Sequence, residues 1–399
     1  MANARTALTV ATLGTAQTLA WASSYYLIAI LAAPMARELG VSPPTAYAAF
    51  SVALLVSAAV GPRSGKAIDR LGGRPVLVGS NLIFAAGLLA LAHAPGVVGF
   101  FLAWMILGVG MGCGLYESAF ATLVRLYGQQ ARTAITGITL IAGFASTVGW
   151  PITTWLEAHW GWRGACMAWA GLHLVLALPL NASLPSAAVL PAASSPAVAA
   201  SAAASPQDAA ARRNALLLAW VFAMTWFAST AMAAHLPKVL QAAGVTFAGA
   251  VALGALVGPA QVAGRVLEFG FLRRAGPLLS ARLAAMAHPL GVLVLLVAGA
   301  PAAAVFVVLH GLGNGIMTIA IGTLPLVIFG PSGYGRRQGL LMVPARVLQA
   351  GAPFVFGLAF DRWGVYALTL TASLVLSSCI ALWIVVPASG GNRSVSKEV

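Results

Sequence analysis

Long apolar runs separated by short polar clusters recur from one end of this 399-residue chain to the other. A helix needs about 20 apolar residues to cross the hydrocarbon core of a bilayer. The runs divide into twelve segments of that order: 8–33, 44–62, 75–94, 97–125, 132–156, 164–182, 214–236, 246–270, 280–299, 301–329, 337–359 and 365–387, numbered spans 1 to 12 below. The pattern therefore predicts an all-α integral membrane protein. The first run is too long for a cleaved leader and is followed at once by further spans, so it reads as a permanent helix. Between spans 6 and 7, residues 183–213 are mostly Ala, Ser and Pro. With little bulky apolar content, they read as a flexible linker between an N-terminal six-helix bundle, residues 1–182, and a C-terminal one, 214–399.

The two halves repeat each other. A shift of 203 residues carries Pro34 onto Pro237, Gly61 onto Gly264, Arg70 onto Arg273, and Gly108, Gly110 and Gly112 onto Gly311, Gly313 and Gly315. Trp160-Gly161 lands on Trp363-Gly364, and Pro151 falls within one residue of Pro353. So many coincidences at one offset imply duplication. Two halves in the same orientation match the parallel-repeat plan of transporters that hold substrate between the halves near the midplane. The glycine runs suit close helix approach.

Composition agrees: 60% of residues are hydrophobic and 8% charged, where a soluble domain carries about a quarter charged residues. The formal charge of +14 would suggest nucleic acid if the cations formed a patch, but they follow the loops instead. Of the 22 Lys and Arg, sixteen fall in alternate loops and at the termini, among them Arg63, Lys66, Arg125, Arg212, Arg282, Arg336, Arg393 and Lys397. The opposite loops hold only Arg37, Arg163, Lys238 and Arg362. The positive-inside bias thus places both termini in the cytoplasm of a cell, inner or plasma, membrane and excludes nucleic acid as a partner. Cys113, Cys166 and Cys379 lie in apolar runs without paired or metal-ligand spacing, and read as packing residues.

The segment between spans 2 and 3, Gly61 to Arg74, reads G-P-R-S-G-K-A-I-D-R-L-G-G-R. With Gly65, Asp69, Arg70, Gly73 and Arg74 at or close to their places, it resembles the signature G-x-x-x-G-x-x-x-D-R-x-G-R-R of the major facilitator superfamily. The resemblance implies the major facilitator fold of two pseudo-symmetric six-helix bundles, and a gating role for Asp69, Arg70 and Arg74 in latching the cytoplasmic side. The second copy, around Gly264 to Arg274, has no acid at the Asp69 position. Gly161-Trp162-Arg163 is another common feature of the superfamily. From Tyr127, Y-G-Q-Q-A-R-T-A-I-T-G is similar to the span 4–5 region of the monocarboxylate and oxalate–formate porter branch, through Tyr127, Arg132, Ala134 and Gly137. The acidic-glycine signature of that branch is absent from span 1.

A charge inside the bilayer costs roughly 3 kcal/mol on insertion scales, so each needs a reason. Arg346 stands about nine residues into span 11, near the midplane, and could grip a carboxylate with two parallel hydrogen bonds or serve a structural pair. Glu117 in span 4 is the candidate proton carrier, with an ion pair to Arg346 and contact with a cationic substrate as the competing roles. Arg265 and Glu268, one turn apart near the inner end of span 8, could satisfy each other. Porters of the resembled branch use a cation in span 8, which would make Arg265 a second anion ligand. Its repeat counterpart is Pro62, at the membrane edge, which favours a structural or gating role for Arg265 and Glu268. Gln17, Trp21, Ser24 and Tyr25 share a face of span 1 and could line a polar cavity. His310, Asn314 and Thr318, at intervals of four on span 10, could line it too.

These features point to a carrier of a small organic anion, probed by Arg346 and coupled to protons through Glu117. The alternative is a proton-antiport exporter of amphipathic or cationic compounds. A lone midplane arginine favours the first and an unpaired glutamate the second. No hydrolase elbow, zincin motif or phosphate loop occurs, so an enzyme is not expected. No cofactor or metal is expected either. The expected partners are the small-molecule substrate, protons and lipid, with the chain a monomer.

Overall fold

A computed structural model describes residues 2–186 and 206–386. Most of the expected linker, and Arg393 and Lys397, lie outside the described residues. Those described are helical apart from short turns. Nine continuous helical stretches among them are long and apolar enough to cross a membrane. The stretch Val97–Ala182 turns back twice, at Gly128 (φ 56°) and Gly161 (φ 67°), and Tyr334–Ile384 turns once, at Gly364 (φ 55°). Only glycine takes such a left-handed turn without strain. The nine stretches thus hold twelve crossings.

Several boundaries differ from expectation. Span 2 runs from Pro43 to Leu71, so the signature segment is mostly helix, with one turn at Gly72 (φ 83°) before span 3 begins at Gly73. Its charged residues prolong the helix beyond the apolar run. Span 7 begins at Pro206, inside the stretch expected to be linker, with a proline and Asp208 in its first turn, both favourable at a helix N-terminus. Span 11 extends over Tyr334–Trp363.

Four spans are interrupted part-way. Span 1 breaks between Ala22 and Leu27, span 4 at Leu115, span 5 at Gly143–Phe144 and span 8 at Ala255–Leu256. Non-helical backbone at membrane depth is tolerated only where protein covers it. Here Gln17 donates from Nε2 to the Gly114 carbonyl beside the span 4 break, 2.6 Å away.

The duplication is visible in the packing. A methyl on Gly108 would lie 2.5 Å from the Ala53 carbonyl oxygen, and one on Gly112 3.0 Å from that of Ser57, so the glycine run lays span 4 on the backbone of span 2. Gly311 and Gly315 lay span 10 on Val257 and Gln261 of span 8 in the same way. Each half also buries a histidine-centred polar cluster. In the first, His173 on span 6 contacts Ser23 Oγ at 2.7 Å and Asn81 Oδ1 at 3.0 Å. In the second, His288 on span 9 contacts His310 of span 10 and Thr371 of span 12, each at 3.0 Å. Large apolar side chains such as Val98, Val175, Val297 and Phe354 point outward, as a lipid-facing surface requires.

Candidate functional site

Arg346 is 3% exposed and lies near the middle of span 11. Its Nη2 donates to Glu117 Oε1 at 2.7 Å and its Nη1 to Gln349 Oε1 at 2.9 Å. Gln349 in turn donates from Nε2 to the Tyr25 hydroxyl at 2.8 Å. The chain Tyr25–Gln349–Arg346–Glu117 thus ties span 11 of the second half to the breaks in spans 1 and 4 of the first. Glu117 occupies the first turn of the helix that resumes after Leu115, where the helix dipole favours a carboxylate. The guanidinium carbon of Arg346 also stands 5.4 Å from the ring centroid of Trp226 on span 7, a cation–π contact.

Arg265 is the contrast. It is 4% exposed, yet its Nε and Nη1 have no hydrogen-bond partner among the described residues. The acid one turn away, Glu268, does not pair with it. Glu268 accepts from Arg132 Nη2 at 3.1 Å and from Ser280 Oγ at 2.8 Å, which bridges spans 5, 8 and 9. The repeat counterpart of Arg265, Pro62, lies inside the helix Pro43–Leu71 rather than at its end. The Arg265 guanidinium packs on Gly143 at the break of span 5, where a side-chain methyl would collide with Nη1. It lies within electrostatic reach of the Tyr26 and Tyr116 phenols, as Arg346 does of Tyr25. Trp21 lies among these tyrosines, with ring centroids 5.2 Å from Tyr25, 6.0 Å from Tyr26 and 4.9 Å from Tyr116. The buried indole nitrogens of Trp21 and Trp226 have no partner either. An unsatisfied buried donor is costly, and these four N–H groups all call for an acceptor.

On the face that carries Gly72, the halves are joined. Asp69 accepts the backbone N–H groups of Gly335 and Arg336 at 2.8 and 2.9 Å, at the start of span 11. Beneath it, Gly65 and Gly335 bring the two backbones together too closely for a side chain on either. Arg70 and Arg74 are exposed beside this contact. The Arg132–Glu268 pair makes the second join.

The other expected cavity residues divide. Trp21 and Tyr25 belong to the cluster, whereas Gln17 is spent on Gly114 through Nε2 and keeps only Oε1 unpartnered. Ser24 turns back to the Ala20 carbonyl of its own helix. Asn314 is half-buried, and its carbonyl accepts from Thr318. His310 does not join the site. It faces span 9, held by His288 and packed with Phe306, because the four-residue spacing fixes a helix face without saying which neighbour that face meets. Gln349, Trp226, Tyr26, Tyr116 and Gly143 escaped the sequence reading. Of these, Gln349 had a legible signal, three residues beyond Arg346 on one helix face.

The family model of the Major Facilitator Superfamily matches residues 13–345. The chain belongs to that superfamily. Its members are transporters, not enzymes. Among curated relatives, a multidrug resistance protein B homolog of Mycobacterium tuberculosis is 34% identical over 111 residues, 28% of this chain and 20% of that protein. Monocarboxylate transporter 3 of Rattus norvegicus is 28% identical over 126 residues, 31% of this chain and 25% of that protein. The chain thus spans well under half the length of these relatives. Two solved structures share the fold: the transporter FucP in its outward conformation, with TM-score 0.73 and 16% identity over 95% of this chain and 99% of that one, and the human organic anion transporter MFSD10, with TM-score 0.70 and 15% identity over 95% and 99%.

The charged and aromatic cluster lies between the two halves. Two grooves lie elsewhere, along span 5: one of about 640 Å³ beside Trp150, Thr154 and Trp155, another of about 490 Å³ against span 1 at Thr15 and Thr18. They are open and apolar, and hold none of the charged groups.

Proposed function

We propose that the protein is a secondary active transporter that carries a small organic anion by alternating access, coupled to protons. The observation that supports the anion is Arg265, a buried guanidinium with no counter-charge among the described residues, beside the aromatic cluster that holds the unpartnered Trp21 N–H. A bound carboxylate would satisfy these donors together. Arg346, with Glu117 already on it, is then a second, conditional cation. A proton taken by Glu117 neutralises the carboxylate, weakens the pair and frees Arg346.

The two halves, 1–182 and 214–399, rock about the linker with both termini in the cytoplasm of a cell membrane. Asp69 and the Arg132–Glu268 pair close one face and separate as the other closes. The chain acts as a monomer. The competing reading, a proton-antiport exporter of cationic or amphipathic compounds, has support in the name of the mycobacterial relative. It requires a carboxylate free to meet a cation, and Glu117 is engaged by Arg346.

The test is uptake of radiolabelled small carboxylates and amphipathic cations into proteoliposomes under an imposed pH gradient, with Arg265→Gln and Glu117→Gln beside the wild type. Carboxylate uptake that Arg265→Gln abolishes, and that loses its response to the gradient in Glu117→Gln, is the expected result. Movement of cations alone, dependent on Glu117, contradicts it.

A further inference from the structure

Three guanidiniums and two carboxylates stand around the aromatic cluster and the Arg132–Glu268 join between the halves. Arg132 and Glu268 cancel at 3.1 Å, Arg346 and Glu117 cancel at 2.7 Å, and Arg265 has no opposite charge among the described residues. The site therefore offers one positive charge to a ligand. It holds a second in reserve, because the Glu117 carboxylate occupies Arg346 as a substrate carboxylate would. Both cations border one aromatic cluster, Arg346 through Gln349 and Tyr25 and Arg265 beside Tyr26 and Tyr116, with the Trp21 ring between the tyrosines.

We infer that Glu117 sets the valence of the substrate. With its carboxylate on Arg346 the site accepts a monoanion at Arg265. With that carboxylate neutralised, the site presents two guanidiniums and accepts a dianion that spans them. An unmatched charge in a poorly solvated site is strongly disfavoured, so a dianion is excluded from the first state and a monoanion disfavoured in the second. The inference rests on the anion-carrier reading and adds to it a built-in counter-anion that discriminates by charge.

Succinate and its monoamide, succinamate, have nearly the same size and differ by one charge, so they isolate the effect. Counterflow of each is measured in proteoliposomes for wild type, Glu117→Gln and the double variant Glu117→Gln/Arg346→Gln. Wild type is expected to prefer succinamate. Glu117→Gln, which keeps an acceptor for Arg346 but no charge, is expected to move the ratio toward succinate by about tenfold or more, the scale of one charge-assisted hydrogen bond. The double variant restores a single uncompensated cation and is expected to return to succinamate. Should Glu117→Gln fail to fold, the double variant still decides, since a preference for succinate there overturns the inference. An unchanged ratio in a folded Glu117→Gln protein overturns it as well, while leaving the carrier reading intact. Indifference of the wild type to both compounds and to every other carboxylate overturns the carrier reading itself.

Discussion

Two arginines at the centre of this protein are almost equally buried and differently treated. Arg346, on span 11, has a carboxylate and an amide on its guanidinium and an indole ring beside it. Arg265, on span 8, has Gly143 against it and no partner for Nε or Nη1 among the described residues. A fold under selection for stability alone would not keep the second arrangement, since an uncompensated buried charge is among the costliest features a protein can carry. On the proposed reading, the comparison separates a cation already engaged by a carboxylate from one held for a ligand, and depth in the membrane alone could not have made that distinction.

Substitution should break this contrast in opposite directions. Replacing Arg346 with Gln leaves Glu117 without its cation, and loss of one partner of a buried pair costs roughly 3–5 kcal/mol. A fall in the thermal midpoint of the detergent-purified protein is expected. Glu268→Gln should act in the same sense and more weakly, because Arg132 is partly exposed and Ser280 still bonds the amide. Arg265→Gln should leave the midpoint unchanged or raise it while transport is lost, the trade of stability for activity expected where a site is kept strained for function. A fall in midpoint as large as that of Arg346→Gln would erase the distinction.

A smaller effect is expected at the face that carries Gly72. Asp69 accepts two backbone N–H groups at the start of span 11, so Asp69→Asn removes charge from a helix N-terminus, worth about 0.3–2 kcal/mol. The protein should still fold, but the two faces should change accessibility, read by alkylation of single cysteines placed near Gly72 and near Trp363. Increased labelling near Gly72 is the expected outcome. The smallest change is Gly143→Ala, whose methyl meets Arg265 Nη1. It should raise KM for the anion several-fold, and pairing it with Arg265→Lys, which has a slimmer head, should recover part of the loss.

The architecture was largely legible in the sequence because membrane insertion and duplication act on long stretches. Apolar length gave twelve crossings, the offset of 203 aligned the glycine runs that pack spans 4 and 10, and the signature segment located Asp69. Arg346 and Glu117 stood out because a charge in an apolar run is rare, and their mutual contact was among the roles open to them. The state of Arg265 was not legible. Spacing of three residues says that Arg265 and Glu268 can meet, but Arg132 and Ser280, brought by other helices, take the carboxylate. The repeat offset assigned Arg265 to the membrane edge through Pro62, but the helix of span 2 runs on to Leu71, so Pro62 lies within it rather than at its end. His310 misled for a related reason, since span 10 turns that face toward span 9.

The central claim, that Arg265 is the anchor for the anion, is tested most directly by calorimetric titration of the purified protein with succinamate, wild type beside Arg265→Gln. Binding by the wild type, and loss of it by about a hundredfold in a variant whose thermal midpoint is undiminished, is the predicted result, the scale of a charge-assisted contact made by more than one hydrogen bond. Equal affinity in the two proteins would contradict it.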